Sequence, residues 1–111
     1  MPIPSPLGEF EVVVLLAVMH GGRESHPPVI REEIERRTGR AVSRGSVYIT
    51  LDRLEEKGLL TSRVEAASGP QRGGRPARRF RVTAPGLAAV KRSIATLTHM
   101  RRGLEPVLGD G

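Results

Sequence analysis

Residues 43–86 restrict this chain more than any other stretch: a short amphipathic run, a strand-like run, a loop of Arg and Gly and a second strand-like run follow in order. Val47, Leu51 and Leu54 recur at i, i+4 and i+7 on one helical face. Ser43 is suited to cap that helix and Gly58 to stop it. At about 100° per residue the opposite face carries Gly45, Ser46, Ile49, Asp52 and Arg53, with Arg44, Tyr48 and Thr50 on its flanks. Small residues there permit close approach to a duplex. Arg53 reaches guanine or phosphate, Ser46 and Thr50 bond phosphate or base edges, and an outward Ile49 suits a thymine methyl. In the competing reading Ile49 and Tyr48 only pack on neighbouring elements. Asp52 argues against covering the whole face with phosphates.

Residues 59–65 have the composition of a half-buried strand, and residues 79–83 alternate charged with apolar side chains as a second one. Residues 69–76 between them are too rich in Gly and Pro for regular structure, and no carboxylate there competes for the guanidinium groups. The expected product is a cationic hairpin tip. Arg72, Gly73, Gly74, Arg75, Arg78 and Arg79 form its DNA-contacting set, because planar guanidinium groups pair bidentately with phosphate and suit a narrow minor groove. A solvated Arg-Gly loop that engages RNA without choosing a sequence is the alternative. A helix of recognition type beside the loop favours duplex DNA.

Charge is divided unevenly. Residues 1–65 hold 9 basic and 10 acidic side chains, a sum of −1, while residues 66–111 hold 9 and 2, a sum of +7, giving +6 for the chain. A basic excess in the hairpin and the last helix is the footprint expected on a polyanion. An anionic membrane is a weaker partner, since no basic amphipathic segment also carries a large insertion face. With 111 residues the chain is expected to form one domain. The absence of Cys excludes disulfides, thiolate metal sites and a cysteine nucleophile, and fits a reducing cytoplasm.

Residues 12–19 are apolar but too few to span a bilayer. Glu9 and Glu11 stand where a signal peptide would be positive. The run is expected to be a buried first helix, from Pro6 or Leu7 to His20, ended by Gly21 and Gly22; its valines leave a strand as the lesser alternative. Pro27 and Pro28 open a second helix that offers Val29, Ile30 and Ile34 to the core and Arg31, Glu32, Glu33, Glu35, Arg36 and Arg37 to water, with Gly39 ending it. The order helix, helix, turn, helix, strand, loop, strand is that of a winged helix-turn-helix. The fold class expected is mainly α with a small β-hairpin, a winged helix-turn-helix over residues 6–83. A C-terminal dimerisation helix over residues 84–105 and a flexible tail over 106–111 follow.

The last helix is capped by Thr83, carries Leu87, Val90, Ile94, Leu97 and Leu104 at three-four spacing, and closes at Pro106 and Gly109. Its stripe is long for so small a domain, so it is expected to pair with the same helix of a second subunit, Met100 filling beside it and Arg101 interrupting the seam. Packing on the first helix of its own chain is the alternative. A dimer places two such units on a two-fold symmetric DNA site.

Several motifs together resemble the PadR family of bacterial transcriptional regulators: Leu7-Gly8-Glu9-Phe10-Glu11, Ile30-Arg31-Glu32-Glu33-Ile34 with Thr38-Gly39-Arg40, the block at residues 45–59 around Tyr48 and Gly58, Gly73-Gly74-Arg75-Pro76 running on to Phe80, and Val82-Thr83-Ala84-Pro85-Gly86. The resemblance covers about residues 6–100. It implies a homodimeric winged-helix repressor that reads its operator through Arg44, Ser46, Tyr48, Thr50 and Arg53. It also implies a dimer interface shared by the last helix and the first, which adds Phe10 and Val14. The chain departs from the family where His26-Pro27-Pro28 replaces a Tyr-Gly pair and where Phe80-Arg81 replaces paired aromatics. With so few aromatics, a pocket for a flat small-molecule effector is poorly furnished.

Catalysis finds no footing: there is no P-loop and no nucleophile elbow, and His20, His26 and His99 lie apart without a carboxylate at ligand spacing. No cofactor, metal or membrane is expected. Two classes remain, a sequence-specific double-stranded DNA-binding regulator in the cytoplasm, and a winged-helix protein adaptor with only non-specific nucleic-acid contact.

Overall fold

The computed structural model describes residues 6–65 and 77–109. Three helices, α1 (Glu9–His20), α2 (Pro27–Thr38) and α3 (Arg44–Glu56), precede the strands β1 (Leu60–Glu65) and β2 (Ala77–Val82), a long helix α4 (Ala84–Arg101) and a single turn α5 (Glu105–Leu108). α1 is apolar on nearly every side and accordingly sits in the middle, with Val14, Leu15, Ala17 and Val18 buried. Its first turn is closed by Glu11, whose Oε1 accepts from the Gly8 N–H at 2.9 Å. The helix starts at Glu9, later than the sequence suggests, because Gly8 itself is extended, at φ −70° and ψ 160°.

In α2 the four-residue step from Ile30 to Ile34 faces the core, and both are buried. Val29, expected beside them, is 39% exposed, since one residue of helix turns it about 100° away. Gly39 ends α2 at φ 70°, in the left-handed region. The turn into α3 is held at Val42, whose carbonyl accepts from Arg31 Nε at 2.7 Å and whose N–H donates to Glu35 Oε2 at 3.0 Å. Ser43 then caps α3, its Oγ accepting from the Ser46 N–H at 3.1 Å. Val47, Leu51 and Leu54 point inward as their spacing predicts. Each contributes about 1.5–3 kcal/mol of burial, so this face is fixed to the core and the opposite one is left outside.

β1 and β2 pair antiparallel, Leu60 opposite Val82 and Glu65 opposite Ala77. Phe80, fully buried, is also bridged on its other side by Ser25, with the Ser25 N–H donating to Phe80 O at 3.0 Å and the Phe80 N–H to Ser25 O at 2.7 Å. A one-residue bridge carries no alternation, so no sequence pattern announces it.

Thr83 joins the hairpin to α4: its Oγ1 donates to Gly58 O at 2.7 Å and accepts from the Gly86 N–H at 3.0 Å. Two expectations are corrected here. α4 ends at Arg101 instead of running through Leu104, because Gly103 takes φ 91° and breaks it. Val14 and Val90, expected at a dimer interface, both lie within the chain's own core, where their side chains are out of a partner's reach. The architecture is a winged helix-turn-helix, mainly helical, with a two-stranded hairpin and a projecting C-terminal helix.

Candidate nucleic-acid interface

The outward side of α3 follows from the burial of its inward side. Arg44, Gly45, Ser46, Ile49, Asp52 and Arg53 are exposed, Ile49 by 60%. With most of its surface open among the described residues, Ile49 is not packed into a neighbouring element. Tyr48 is half-buried, beside a cleft of about 320 Å³ that it lines with Pro27, Pro28, Arg31, Arg44 and Val47. Thr50 departs from expectation: it is only 6% exposed, on the edge of the core face. It lies three residues past Val47 and four before Leu54, which places it with them and not with Ser46.

Arg44 and Arg53 have no ion-pair or hydrogen-bond partner among the described residues. Most acidic side chains of the helical domain, by contrast, are engaged. Glu9 pairs with Arg40 at 3.0 Å, Glu24 with Arg63 at 2.7 Å, and Glu33 with both Arg36 and Arg37. Glu11, buried between α1 and α3, takes Lys57 Nζ at 2.8 Å. Burial alone would raise the Glu11 pKa, but the Lys57 ammonium and the Gly8 N–H outweigh it and hold the carboxyl below its ordinary value. Arg63 likewise lowers Glu24, and Arg36 with Arg37 lowers Glu33. Cations at the outer face of α3 therefore meet little internal competition for a polyanion.

In the hairpin, Arg72, Gly73, Gly74 and Arg75 lie outside the described residues. Arg78 and Arg79 are both on β2, which begins two residues earlier than expected, and both are engaged within the chain. Arg79 donates to Glu65 across the hairpin. Arg78 Nη1 donates to Asp52 Oδ1 at 2.9 Å and its Nη2 to Glu55 Oε1 at 2.7 Å, while its guanidinium stands 4.7 Å from the centre of the Phe80 ring. Glu55 also accepts from Ser62 Oγ at 2.6 Å. The sequence offered these arginines as phosphate contacts because it could not show that i, i+3 carboxylates on α3, Asp52 and Glu55, face β2.

The remaining predicted residues divide. Leu87, Ile94, Leu97, Met100 and Leu104 are exposed, and Phe10 is half-buried against the core. A second cleft, of about 310 Å³, lies between the end of α1 and the start of α4, with Val18, Met19, Arg23, Arg81, Val82 and Leu87 among its walls and no aromatic side chain. No group of metal-binding side chains and no helix long and apolar enough to cross a membrane occurs among the described residues.

The transcriptional regulator PadR-like family matches the chain over residues 15–92, from the middle of α1 to the first half of α4. The chain belongs to that family. Membership makes it a DNA-binding transcriptional regulator, of a family of regulators and not of enzymes. No curated protein matches its sequence. Solved structures share the fold at low identity. A PadR family regulator of Clostridium difficile is 18% identical over 92% of this chain and 100% of that chain, with a TM-score of 0.71. A PadR-like regulator of Bacillus cereus is 18% identical over 92% and 93%, with a TM-score of 0.69. One from Eggerthella lenta is 20% identical over 93% and 88%, with a TM-score of 0.67.

Proposed function

We propose that this PadR-family protein is a homodimeric repressor in the cytoplasm that reads an inverted-repeat operator with α3 and braces the hairpin on adjacent backbone. The observation that carries the reading is the outer face of α3, where Arg44 and Arg53 are exposed beside small and apolar side chains and neither makes a hydrogen bond or ion pair among the described residues. Arg53, Ser46 and Ile49 supply the chemistry for base edges and a thymine methyl, and Arg44 with Tyr48 that for backbone. Arg72 and Arg75, with Gly73 and Gly74 permitting close approach, add phosphate or minor-groove contacts. Dimerisation through the exposed side of α4, with Phe10 from α1, supports a two-fold site. A small domain without an evident activation surface suits a blocker of polymerase.

The test is to incubate the protein with sheared genomic DNA and random duplexes at physiological salt and to sequence what is retained. The expected result is an inverted repeat with half-sites about 10 bp apart, or a multiple of that, bound about a thousandfold above random DNA. R53A is expected to relax preference at one position per half-site, and R75A to weaken all duplexes alike. Retention without any motif would instead support the adaptor with only non-specific contact.

A further inference from the structure

Asp52 sets a physical problem for the interface just described. It is exposed on the outer face of α3, one residue before Arg53, where an uncompensated carboxylate would repel the phosphates that Arg44 and Arg53 attract. Arg78 reaches it from β2 at 2.9 Å, holds Glu55 one helical turn further on at 2.7 Å, and is seated on the Phe80 ring. Phe80 is fully buried and bridged to Ser25, so the base of this arginine is anchored in the core. A guanidinium fixed by two carboxylates and a ring face is poorly placed to leave for a phosphate.

We propose that Arg78 is a positioning residue that acts inside the protein: it masks the Asp52 carboxylate on the DNA-facing side of α3 and ties the hairpin to that helix. The hairpin and α3 then meet a duplex as one unit. This rests on the DNA-binding reading of α3 given above. It also replaces the role that the sequence suggests for Arg78, a phosphate contact, and the two roles separate by experiment.

The key comparison is R78Q against the double variant D52N/R78Q. Asp52, Glu55 and Arg78 sum to −1, and the double variant leaves that sum unchanged, so the polyelectrolyte contribution to binding is preserved unless Arg78 itself touches phosphate. Affinity is measured for the operator and for random duplex over a range of salt, with thermal melting of each variant to establish that it is folded. R78Q is expected to weaken both duplexes by about tenfold, because the freed Asp52 faces phosphate. The double variant is expected to recover to within about threefold of wild type, with the wild-type slope of log affinity against log salt.

If D52N/R78Q stays as weak as R78Q and its slope falls by about 0.9, Arg78 is a phosphate contact and the proposal is overturned. Wild-type affinity in R78Q would overturn it equally. Failure of the wild-type protein to retain any duplex would remove the DNA reading itself, and the mask with it; failure of the rescue alone leaves that reading standing.

Discussion

At the scale of single residues, two glycines on helices behave in opposite ways, and only the packing tells them apart. A Cβ on Gly86 would lie 2.1 Å from Leu59 O and 2.9 Å from Val82 Cγ1. The first of these is backbone, and it already accepts from the Thr83 N–H, so it has nowhere to retreat. A Cβ on Gly45 would meet nothing within 4 Å. G86A is therefore expected to destabilise by about 2–3 kcal/mol despite the better helix propensity of Ala, while G45A gains about 0.5–1 kcal/mol. Urea unfolding of the two variants checks this, and equal effects would mean that α4 does not start against Leu59 as described. In the sequence both are glycines near a helix start. The same limit hid the role of Arg78, since the partners of a side chain follow from which elements face each other and not from its neighbours in the chain.

At the scale of elements, periodicity found the main core positions of the helices with one wet side, Ile30 and Ile34 in α2 and Val47, Leu51 and Leu54 in α3, and missed only at the edges of those faces, at Val29 and Thr50. The inward faces of α2 and α3, the Ser43 cap and the Thr83 cap all follow from spacing and from capping chemistry. Where the pattern depends on a neighbour it falls short: α1 is apolar all round, so its partners were open, and the end of α4 turned on whether Gly103 would adopt positive φ. Ion pairs between elements are equally silent in sequence. The Glu11–Lys57 pair joins the start of α1 to the end of α3. Because the folded Glu11 pKa is depressed, its stabilisation is present above the ordinary carboxylate value and is lost as pH falls through the folded one. E11Q is therefore expected to cost about 1–2 kcal/mol at neutral pH and to lose less stability than wild type on acidification. Unfolding midpoints at pH 7 and at successively lower pH read both effects. A parallel decline of the two proteins would show that Glu11 contributes nothing to acid sensitivity.

At the scale of the whole molecule, shape and surface chemistry converge on the last helix. The described chain extends 57 Å in one direction and 22 Å in another, and α4 is 18 residues long, about 27 Å of helix. Its first half is held by Ala89 and Val90 in the core, yet Ile94, Leu97, Met100 and, beyond its end, Leu104 stay exposed, Leu97 by 70%. Such a row of large apolar side chains on one projecting element is what a second copy would bury, and two-fold symmetry would bury every side chain twice. Leu97 is the sharpest probe, because it contributes nothing to the core of its own chain. L97E is then expected to leave the fold intact by circular dichroism while weakening self-association. Losing about 1.5–3 kcal/mol of burial on each side of the axis amounts to a rise of about two to four orders of magnitude in the dimer dissociation constant. Sedimentation velocity over a concentration series reads that shift directly. Because one winged unit spans only half of an inverted repeat, operator affinity should fall with the dimer, while binding to random duplex, which the proposed function assigns to arginines of α3 and the hairpin, should change much less. An unchanged dimer in L97E would move the interface to another surface; a monomeric wild-type protein that still selects an inverted repeat would mean that the two halves assemble only on the DNA.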